Sequence, residues 1–506
     1  MTETFIAHEL QADGTFQTAE FRVSVSDNQA VVERNGVEQQ RLSGSYKLCR
    51  VLQCGLCCTD LARPFLPYAL PQCVGHEALV ECEGTRFCVE INDSCESHDS
   101  PNRCVFCLNT ADSPLPTQCP HRITMGINTW HGAMAPWLLC PTRNLVRVID
   151  ANLSNDAATM LEPFAAALHG VDCSGSANAE KVAVLGAGRL GLMTVLALNA
   201  RRTINKRVQI ISAIVRDDRH AQIARDFGAD NVIIVAKDNT ALLEDASLNS
   251  KFDVVFDTTG TPDGLRHALT LAKREIHLKS THGQPVFGLR HLTEMVVAEL
   301  ALVPLDFEFS WTTGKNKNNK NVFCSSTVPV SVTRAVEATG RFVHTQLSVH
   351  AADAAFQTGA LEQKLLATGS PFPRFDLAIV TSLSEIDALI QPSPKHDRSL
   401  IRPRGAILLL QNETESTSHD THSRLLVSKK IKISTSRCGD FHNALEVMMQ
   451  KDSEGKLLGT RLEKLVTHRY LLKDLPHAFD VAKGTVNERG RPVKIIIDCH
   501  EMPLNK

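Results

Sequence analysis

Hydrophobic and polar residues alternate in short runs over the first 45 positions, and Asp-Gly and Asn-Gly pairs separate these runs. Such pairs favour the tight turns of β-hairpins, so this segment is predicted to form hairpins. From Tyr46 to Arg147, short apolar runs alternate with loops rich in cysteine and proline. The first part of the chain is therefore predicted to be rich in β-strands.

The pattern changes near Asn155, where DAATMLEPFAAALHGV has helical spacing and KVAVLGAGRLGLMTVLALNA predicts a buried strand, a glycine turn and a helix. Strands and helices then alternate through RVQIISAIV, AQIARDFGAD, NVIIV, KFDVVFDTTG, LRHALTLA and REIHLKS. This alternation predicts a parallel sheet with helices on both faces. In the tail, FHNALEVMMQ and LPHAFDVAKG are predicted helices, whereas LVTHRYLL and PVKIIIDC are predicted strands that need a sheet to join.

A segment from about Pro304 to Arg398 interrupts this order. It begins near the polar, basic stretch WTTGKNKNNKN at 311–321, which is predicted to be an exposed loop. Farther on, PRFDLAIVTSLSEIDALI and LIRPRGAILLLQ repeat the order of KFDVVFDTTGTPDGLRHAL and LAKREIHLKST. The repetition indicates a partial internal duplication of a strand-helix-strand piece.

Length, composition and net charge predict the number of domains, the kind of ligand and the role of the cysteines. A chain of 506 residues is too long for one core, which predicts two or three domains. With 43% hydrophobic residues and a net charge of -2, the chain is expected to bind a small molecule, not nucleic acid or a membrane. The chain shows neither a long apolar run nor a signal-like start, so a cytoplasmic protein is expected. Its 16 cysteines are better explained by metal ligation and buried thiols than by disulfides.

Three motifs combine thiol, imidazole and carboxylate groups, the ligand types that zinc accepts. They are CGLCCTD at 54–60, VGHEA at 74–78 and LEPFAAALHG at 161–170. Cys57, His76 and Glu162 would supply three ligands and leave one open position, as in a catalytic zinc site. Each alone could instead be a buried thiol, a surface histidine or a helix-start charge. Their joint occurrence before a dinucleotide motif favours the metal site.

A second group of cysteines follows the first motifs. Cys104 and Cys107 form a CxxC pair, and Cys95 and Cys119 flank it. Four thiolates suit a closed, tetrahedral structural zinc. His98 is an alternative fourth ligand.

The sequence GAGRLG at 186–191 lies between a predicted strand and a predicted helix, the context that a dinucleotide motif requires. Gly186 permits the tight turn, Gly188 lets the backbone approach a pyrophosphate, and Gly191 lets the helix pack against the strand. Arg189 and Leu190 open the helix whose N-terminus would face the phosphate. The alternative is a turn that serves packing alone.

The end of the next strand indicates which nicotinamide cofactor binds. NAD would need an acidic residue there, but the sequence is AIVRDDRH, and Arg216 and Arg219 favour NADP. Asp217 or Asp218 could reach the ribose if the turn shifted by one or two residues.

These motifs together resemble the zinc-dependent alcohol dehydrogenase-like family of the medium-chain dehydrogenases, over about Tyr46 to Gly288 and Ser423 to Cys499. The strings VEIN, CPHRITMGI, LKSTHG and SRCGDFHNALEVM are similar to a subgroup of uncharacterised bacterial members. The resemblance implies an α/β protein with a GroES-like β-rich catalytic domain and a Rossmann domain, active on an alcohol or polyol with NAD(P). It also implies a homodimer or homotetramer.

Under this resemblance the catalytic domain covers 1–165 and returns at 437–506, and the Rossmann domain covers 166–303 and 399–436, interrupted by the insertion 304–398. Cys57, His76 and Glu162 become zinc ligands, and Thr59 becomes the hydroxyl that relays the alcohol proton. Asp60 and Glu77 match carboxylates that orient ligands or transiently replace them.

The chain departs from the family in several places. Ala62 stands where some relatives have a histidine that relays protons, and the loop LVECEGTRF after the GHE motif is shorter than usual. The lobe that contains Cys95, Cys104, Cys107 and Cys119 has two insertions. The segment 304–398 is absent from relatives. Two other readings follow: a non-catalytic zinc- and nucleotide-binding protein with a partner-binding insertion, and a zinc-free reductase in which Cys57, His76 and Glu162 do not converge.

Overall fold

The chain divides into two compact units, Met1–Leu168 with Cys438–Lys506, and His169–Arg437. The computed structural model describes residues 1–98, 102–104, 106–108, 116–206, 209–236, 240–280, 284–305, 320–338, 342–367, 373–392, 399–410, 421–488 and 490–499. The predicted insertion at 304–398 falls inside the second unit. Across the described ranges, no helix combines the length and the apolar character that crossing a membrane requires.

The strands, in chain order, are β1 (Thr2–Leu10), β2 (Phe16–Ser26), β3 (Gln29–Arg34), β4 (Val37–Ser43), β5 (Tyr46–Leu56), β6 (Glu77–Cys82), β7 (Thr85–Val89), β8 (Asn92–Asp93), β9 (Ile123–Thr124), β10 (Trp137–Pro141), β11 (Leu145–Arg147), β12 (Lys181–Leu185), β13 (Ile210–Val215), β14 (Asn231–Ile234), β15 (Phe252–Asp257), β16 (Ala272–Leu278), β17 (Ala301–Leu305), β18 (Lys320–Ser325), β19 (Phe342–Leu347), β20 (Phe375–Val380), β21 (Ile401–Leu410), β22 (Lys432–Thr435), β23 (Val466–Leu471) and β24 (Lys494–Asp498).

The α-helices, in chain order, are α1 (Cys58–Ala62), α2 (Asn155–Thr159), α3 (Leu161–Cys173), α4 (Arg189–Ile204), α5 (Asp218–Asp226), α6 (Pro262–Leu271), α7 (Leu292–Val297), α8 (Val330–Ala338), α9 (Val349–Gln357), α10 (Ala360–Ala367), α11 (Leu383–Ile390), α12 (Thr421–Ser428), α13 (Phe441–Met448) and α14 (Leu475–Lys483). The single helix predicted over DAATMLEPFAAALHGV is two helices, α2 and α3, that break at Met160.

The first unit opens with the antiparallel sheet β1-β2-β3-β4. Its turns contain the predicted glycine pairs, since Gly14 has a φ of 81° and Asn35 and Gly36 have φ values of 50° and 76°. The inward face of this sheet, including Phe5 and Phe21, forms a buried cluster with Leu48 of β5. Burial of one face explains the alternating pattern of the sequence.

A second sheet of the first unit positions the metal motifs. Its order is β11-β7-β6-β5-β24-β23, and β10 also pairs with β5. Gly55, near the end of β5, lies opposite Glu77 at the start of β6 and opposite Ile496 of β24. The predicted closing strand therefore pairs with the strand that leads to Cys57.

The described residues of the second unit form one sheet of eleven strands, in the order β14-β13-β12-β15-β16-β22-β17-β21-β20-β18-β19. Neighbouring strands run parallel except β17 and β22, which are antiparallel. The segment predicted as an insertion adds strands β18, β19 and β20 to this sheet. Of the predicted loop 311–321, the part 311–319 lies outside the described residues, and Lys320 and Asn321 belong to β18. The loop prediction is wrong for these two residues, because Asn321 is buried in the sheet.

A cluster of charges around the buried carboxylate of Glu299 stabilises the centre of this sheet. Glu299, just before β17, accepts hydrogen bonds from His169 Nε2 at 2.7 Å, Arg404 Nε at 3.0 Å and the Arg437 backbone N at 3.0 Å. Burial alone would lower the pKa of His169, but Cys173 and Glu299 outweigh it and raise that pKa to about 9. Burial would raise the pKa of Glu299, but the bond from His169 and the neighbouring charges lower it to about 2.

Replacing Glu299→Gln should destabilise the protein by about 3 kcal/mol, because it leaves the positive charge of the mostly buried His169 unpaired. The His169 contribution is complete below its ordinary pKa of 6.5 and is lost as the pH rises through about 9. The Glu299 contribution is complete above 4.5 and is lost as the pH falls through about 2. Thermal unfolding at a series of pH values should show the largest difference from wild type between pH 4.5 and 6.5. A difference that does not change with pH would contradict this assignment.

Candidate metal centres and dinucleotide site

The first candidate centre lies where β5 ends. The ligand atoms of Cys57, His76 and Glu77 all lie within 4.8 Å of one another, and His76 and Glu77 are buried. Cys57 is the N-cap of α1, and its backbone N donates to Asp60 Oδ2 at 2.8 Å. This cap fixes the direction in which the thiol points from the end of the strand.

Asp60 holds the imidazole of the centre in place. Its Oδ1 accepts from the Gly75 backbone N at 3.1 Å and lies 3.2 Å from His76 Nδ1. Burial alone would lower the pKa of His76, but Asp60 and Cys57 outweigh it and raise the pKa well above the ordinary value. The anionic surrounding therefore favours a positive charge at this place, and the Nδ1 contact leaves Nε2 of the neutral imidazole for a metal ion.

Glu77 pairs with a residue that the sequence analysis did not identify. Lys494 Nζ makes a close ion pair with Glu77 Oε2 and also donates to the Leu56 carbonyl at 3.3 Å. Both side chains are almost fully buried. A Cβ at Gly55 would lie 2.0 Å from Glu77 Oε2, so only glycine fits there. The available signal was a lysine within the apolar strand KIIID, since a lysine in that position needs a buried partner.

Glu162 lies in the first turn of α3 and is half-buried in the fold. Burial raises its pKa to about 7, and the charge of His76 opposes this shift. It is not part of the group whose ligand atoms lie within 4.8 Å, in which Glu77 supplies the carboxylate beside Cys57 and His76. Of the predicted set, Cys57 and His76 therefore lie within 4.8 Å of each other, whereas Glu162 is not in that group.

Two other predicted features adjoin the centre. Thr59 Oγ1 lies 3.8 Å from Cys57 Sγ, so a hydroxyl stands beside the thiol. Ala62 ends α1 and offers no ionisable group. The centre therefore has a hydroxyl but no imidazole at the positions where the resemblance places a proton relay.

The chemistry of the donors fits a zinc ion. One thiol, one imidazole and one carboxylate are the ligand types of catalytic zinc sites. Cys57, Asp60, Glu77 and Glu162 can all carry negative charge, and Lys494 balances one of them. A divalent cation would balance two of the three that remain.

The second candidate centre consists of Cys95, Cys104, Cys107 and Cys119, whose sulfur atoms lie within 4.8 Å of one another. Cys119 Sγ lies 3.5 Å from Cys95 Sγ and 3.6 Å from Cys104 Sγ. These distances exceed a disulfide bond of about 2.05 Å. They approach the edge of about 3.8 Å expected for sulfurs arranged tetrahedrally around zinc at 2.3 Å.

His98 is not needed as a ligand of this second centre, because it pairs with Asp93 and its Nδ1 lies 3.3 Å from Tyr46 Oη. The four cysteines predicted from the sequence converge without it. Several residues of this lobe, at 99–101, 105 and 109–115, lie outside the described residues.

Replacing Cys107→Ser should lower the metal content by one zinc per chain, because a tetrahedral site of four thiolates loses a ligand. The melting temperature should fall while the Cys57 centre keeps its metal. Cys88→Ser is the matched control, since Cys88 is a buried thiol that donates to the Ala158 carbonyl at 3.1 Å. Elemental analysis of both variants checks the prediction, and an unchanged zinc content in Cys107→Ser would refute it.

The glycine turn of the second unit lies between β12 and α4, as predicted. Gly186 has a φ of 81°, and a Cβ there would lie 2.6 Å from Thr259 Cγ2. A Cβ at Gly191 would lie 2.7 Å from Thr258 Oγ1, whereas one at Gly188 would meet nothing closer than 3.8 Å. The first and third glycines therefore serve the turn and the packing, and the second leaves the backbone accessible. Arg189 and Leu190 begin α4 and are half-buried.

Arg216 directly follows β13 and is exposed, and within the described part of the chain no hydrogen bond or ion pair engages its side chain. Asp217 is instead the N-cap of α5, where it accepts from the His220 backbone N at 2.9 Å and lies 2.7 Å from His220 Nδ1. Asp217 is thus engaged in capping α5. The side chain at the end of β13 that makes no such contact is the basic one, Arg216.

Comparisons with known proteins show which proteins the chain is similar to. A scan against models of known protein families finds no match. The chain is 29% identical to an L-threonine 3-dehydrogenase of Bacillus licheniformis over 196 residues, which is 38% of this chain and 53% of that protein. It is 26% identical to an L-threonine 3-dehydrogenase of Escherichia coli over 251 residues, which is 48% and 64% of the two chains. The chain thus spans roughly half to two thirds of the length of these relatives.

Solved structures share the fold at low identity. An Escherichia coli oxidoreductase/dehydrogenase of unknown specificity matches with a TM-score of 0.54 at 16% identity, covering 99% of this chain and 100% of that one. A Sinorhizobium meliloti protein assigned as a zinc-binding dehydrogenase, bound to NADP, matches with a TM-score of 0.51 at 14% identity, covering 98% of this chain and 99% of that one. A short chain alcohol dehydrogenase from Escherichia coli CFT073, complexed with NADH, matches with a TM-score of 0.52 at 15% identity, covering 98% of this chain and 99% of that one. The predicted α/β fold class, with a GroES-like part and a Rossmann part, is confirmed.

Proposed function

From the premise that this chain is a distant relative of the zinc-binding alcohol and threonine dehydrogenases of the medium-chain superfamily, we propose that it is a zinc-dependent oxidoreductase. Its substrate is a small alcohol or polyol, or the corresponding carbonyl compound, and its cofactor is NAD(P). The observation that carries the proposal is the convergence of Cys57, His76 and Glu77 at the end of β5, with Asp60 behind the imidazole.

In this mechanism a bound zinc ion would supply Lewis acidity toward the substrate oxygen, and the nicotinamide would exchange a hydride. The residues of the chain bind and orient. Cys57 Sγ and His76 Nε2 would hold the metal, and Asp60 fixes the tautomer of His76 through the contact with Nδ1. Glu77 or Glu162 would complete the ligand set, and Lys494 neutralises Glu77 through their ion pair.

Thr59 is the group proposed to take the proton of the alcohol. Its Oγ1 adjoins Cys57 Sγ, and Cys58 beside it is exposed, so a proton on this hydroxyl has a short route to solvent. Because Ala62 supplies no base, the route proposed here runs from Thr59 directly to water.

NADP is the cofactor that the turn after β13 favours. Arg216 is exposed and free to bind a 2′-phosphate, while Asp217 caps α5. The change Arg216→Ala should weaken NADPH binding by about 10- to 100-fold, the loss expected for one charged hydrogen bond, and leave NADH binding unchanged. Fluorescence titration of both reduced cofactors measures this, with Arg225→Ala, an exposed arginine in the last turn of α5, as the control that should change neither affinity. Equal affinities of the two cofactors for the wild-type protein would refute the assignment.

Two further features belong to the proposal. None of the sixteen cysteines forms a disulfide, which fits a reducing compartment such as the cytoplasm. A homodimer or homotetramer stays a prediction from the resemblance.

A screen of turnover tests the proposed function. The purified protein, loaded with zinc, is supplied with NADP or NAD and a panel of short alcohols, amino alcohols, polyols and sugar alcohols. The expected result is reduced cofactor with at least one of these substrate classes. Binding of both zinc and cofactor without turnover on any member would instead favour the non-catalytic reading.

A further inference from the structure

The eleven-stranded sheet of the second unit contains two copies of one strand-helix-strand piece. The first copy is β15, α6 and β16, and the second is β20, α11 and β21. Each copy pairs in parallel with one further strand at the same register, because Val182 of β12 faces Val254 of β15 and Val322 of β18 faces Leu377 of β20. The duplication indicated by the sequence therefore extends to the strand that precedes the glycine turn in the first copy.

Equivalent hydrogen bonds support this correspondence. Asp253 Oδ2 accepts from the Lys181 backbone N at 3.1 Å, at the start of β12. Asp376 Oδ2 accepts from the Asn321 backbone N at 2.7 Å, at the start of β18.

The same aspartates also pair with equivalent arginines. Arg274 Nε lies 3.5 Å from Asp253, and Arg402 Nε lies 2.5 Å from Asp376. The two copies thus share these polar contacts as well as their strand order.

The last strands of the two copies are exchanged. β17 follows β16 along the chain but pairs in parallel with β21, and β22 follows β21 but pairs in parallel with β16. β17 and β22 then meet each other antiparallel, at Leu302 and Ile433. The second copy therefore covers the sheet edge of the first copy, and neither half of the sheet is complete without a strand from the other.

The two copies differ at the crevice where a phosphate would bind. In the first copy the third residue of α6 is Gly264, whose Cβ would lie 1.8 Å from Thr259 Oγ1. Thr261 caps this helix, and the equivalent cap of α11 is Ser382. The third residue of α11 is Glu385, so a long acidic side chain replaces a glycine.

The carboxylate of Glu385 fills the crevice of the second copy. It accepts from the Thr381 backbone N at 2.9 Å and Thr381 Oγ1 at 3.2 Å, and from Thr327 Oγ1 at 3.1 Å. Ser325 Oγ also donates to it over a short contact. Hydroxyls and a backbone amide at the end of a parallel strand are the donors that a phosphate would use.

The loop of the second copy also lacks the glycines of the first. At the register set by Val182 and Val322, Gly186 and Gly188 correspond to Ser326 and Val328. Val328 is buried in an apolar cluster with Cys324 and Val336, whereas Gly188 leaves its backbone accessible.

The geometry points to a second, closed copy of the dinucleotide-binding piece, whose phosphate crevice is occupied by the carboxylate of Glu385. Among the described residues the chain accordingly has one open dinucleotide crevice, at Gly186 to Gly191, and the closed copy serves to complete the sheet. That the ligand kept out of this crevice is a nicotinamide dinucleotide rests on the proposed function. That Glu385 fills the crevice does not.

Two measurements test this inference on the full chain. Calorimetric titration of the wild-type protein with NADPH and NADH should give one site per chain, and two sites would overturn the inference. Absence of binding would overturn the proposed cofactor but not the closed crevice, which the second measurement decides.

The second measurement uses inorganic phosphate as the probe in a Gly188→Asp background, which keeps anions out of the first crevice. Adding Glu385→Ala should empty the second crevice, so that phosphate raises the melting temperature by about 2 °C or more. Adding Glu385→Gln is the matched control and should give no such rise, because the amide still fills the space. A phosphate-dependent rise with Glu385 intact, or none after Glu385→Ala, would overturn the inference.

Discussion

Replacing Cys57→Ser is expected to lower kcat/KM by about 10³-fold or more, because a metal ligand is lost and with it several kcal/mol of charge stabilisation in the transition state. Serine keeps the size of the side chain but is a poor zinc ligand. The zinc content should fall from two per chain to one. Dinucleotide affinity should not change, because the glycine turn belongs to the other compact unit.

The neighbouring residue provides the control for this variant. Cys58 is exposed and follows Cys57 in the chain, so Cys58→Ser tests the loss of a thiol at the same turn of α1. It should keep both zinc ions and the wild-type rate. Turnover by Cys57→Ser at the rate of Cys58→Ser would mean that the thiol of Cys57 does not hold the catalytic metal.

Replacing Gly188→Asp should weaken dinucleotide binding by more than about 100-fold, since a carboxylate at the start of α4 repels the pyrophosphate and costs several kcal/mol. The fold should tolerate the change, because a Cβ at Gly188 meets nothing closer than 3.8 Å. Calorimetric titration and thermal unfolding separate loss of binding from loss of structure.

The internal copy offers a matched control for this variant as well. Ser326 is exposed and lies in the corresponding loop after β18, so Ser326→Asp adds the same charge to the closed crevice. It should leave dinucleotide affinity unchanged. If Ser326→Asp weakened binding as much as Gly188→Asp, the cofactor would not be confined to the first crevice.

The parts of the fold that depend on short-range signals could be predicted from the sequence. The Asn-Gly pair at 35–36 gives the expected hairpin turn, and the glycines at 186 and 191 are needed where the motif requires them. The CxxC pair at Cys104 and Cys107 also joins the flanking cysteines as expected. In each case the chemistry lies within about a dozen residues of the signal.

Features that depend on long-range pairing could not be predicted. The resemblance matches Glu77 to the candidate centre but not its partner Lys494, because Lys494 reaches Glu77 only through the pairing of β24 with β5 across more than four hundred residues. The exchange of β17 and β22 depends on sheet order, which alternation of strands and helices does not specify. Likewise, Glu385 fills a crevice only because β18 and β20 are neighbours.

Stepwise removal of zinc from the wild-type protein, followed by its restoration, tests the central proposal most directly. A chelator is added in increments, and the turnover of the best substrate from the screen is measured together with the zinc that remains bound. The proposal predicts that turnover falls in proportion to the loss of one zinc ion per chain and returns when zinc is added back. Full turnover by protein that retains no zinc would contradict it and would favour a zinc-free reductase.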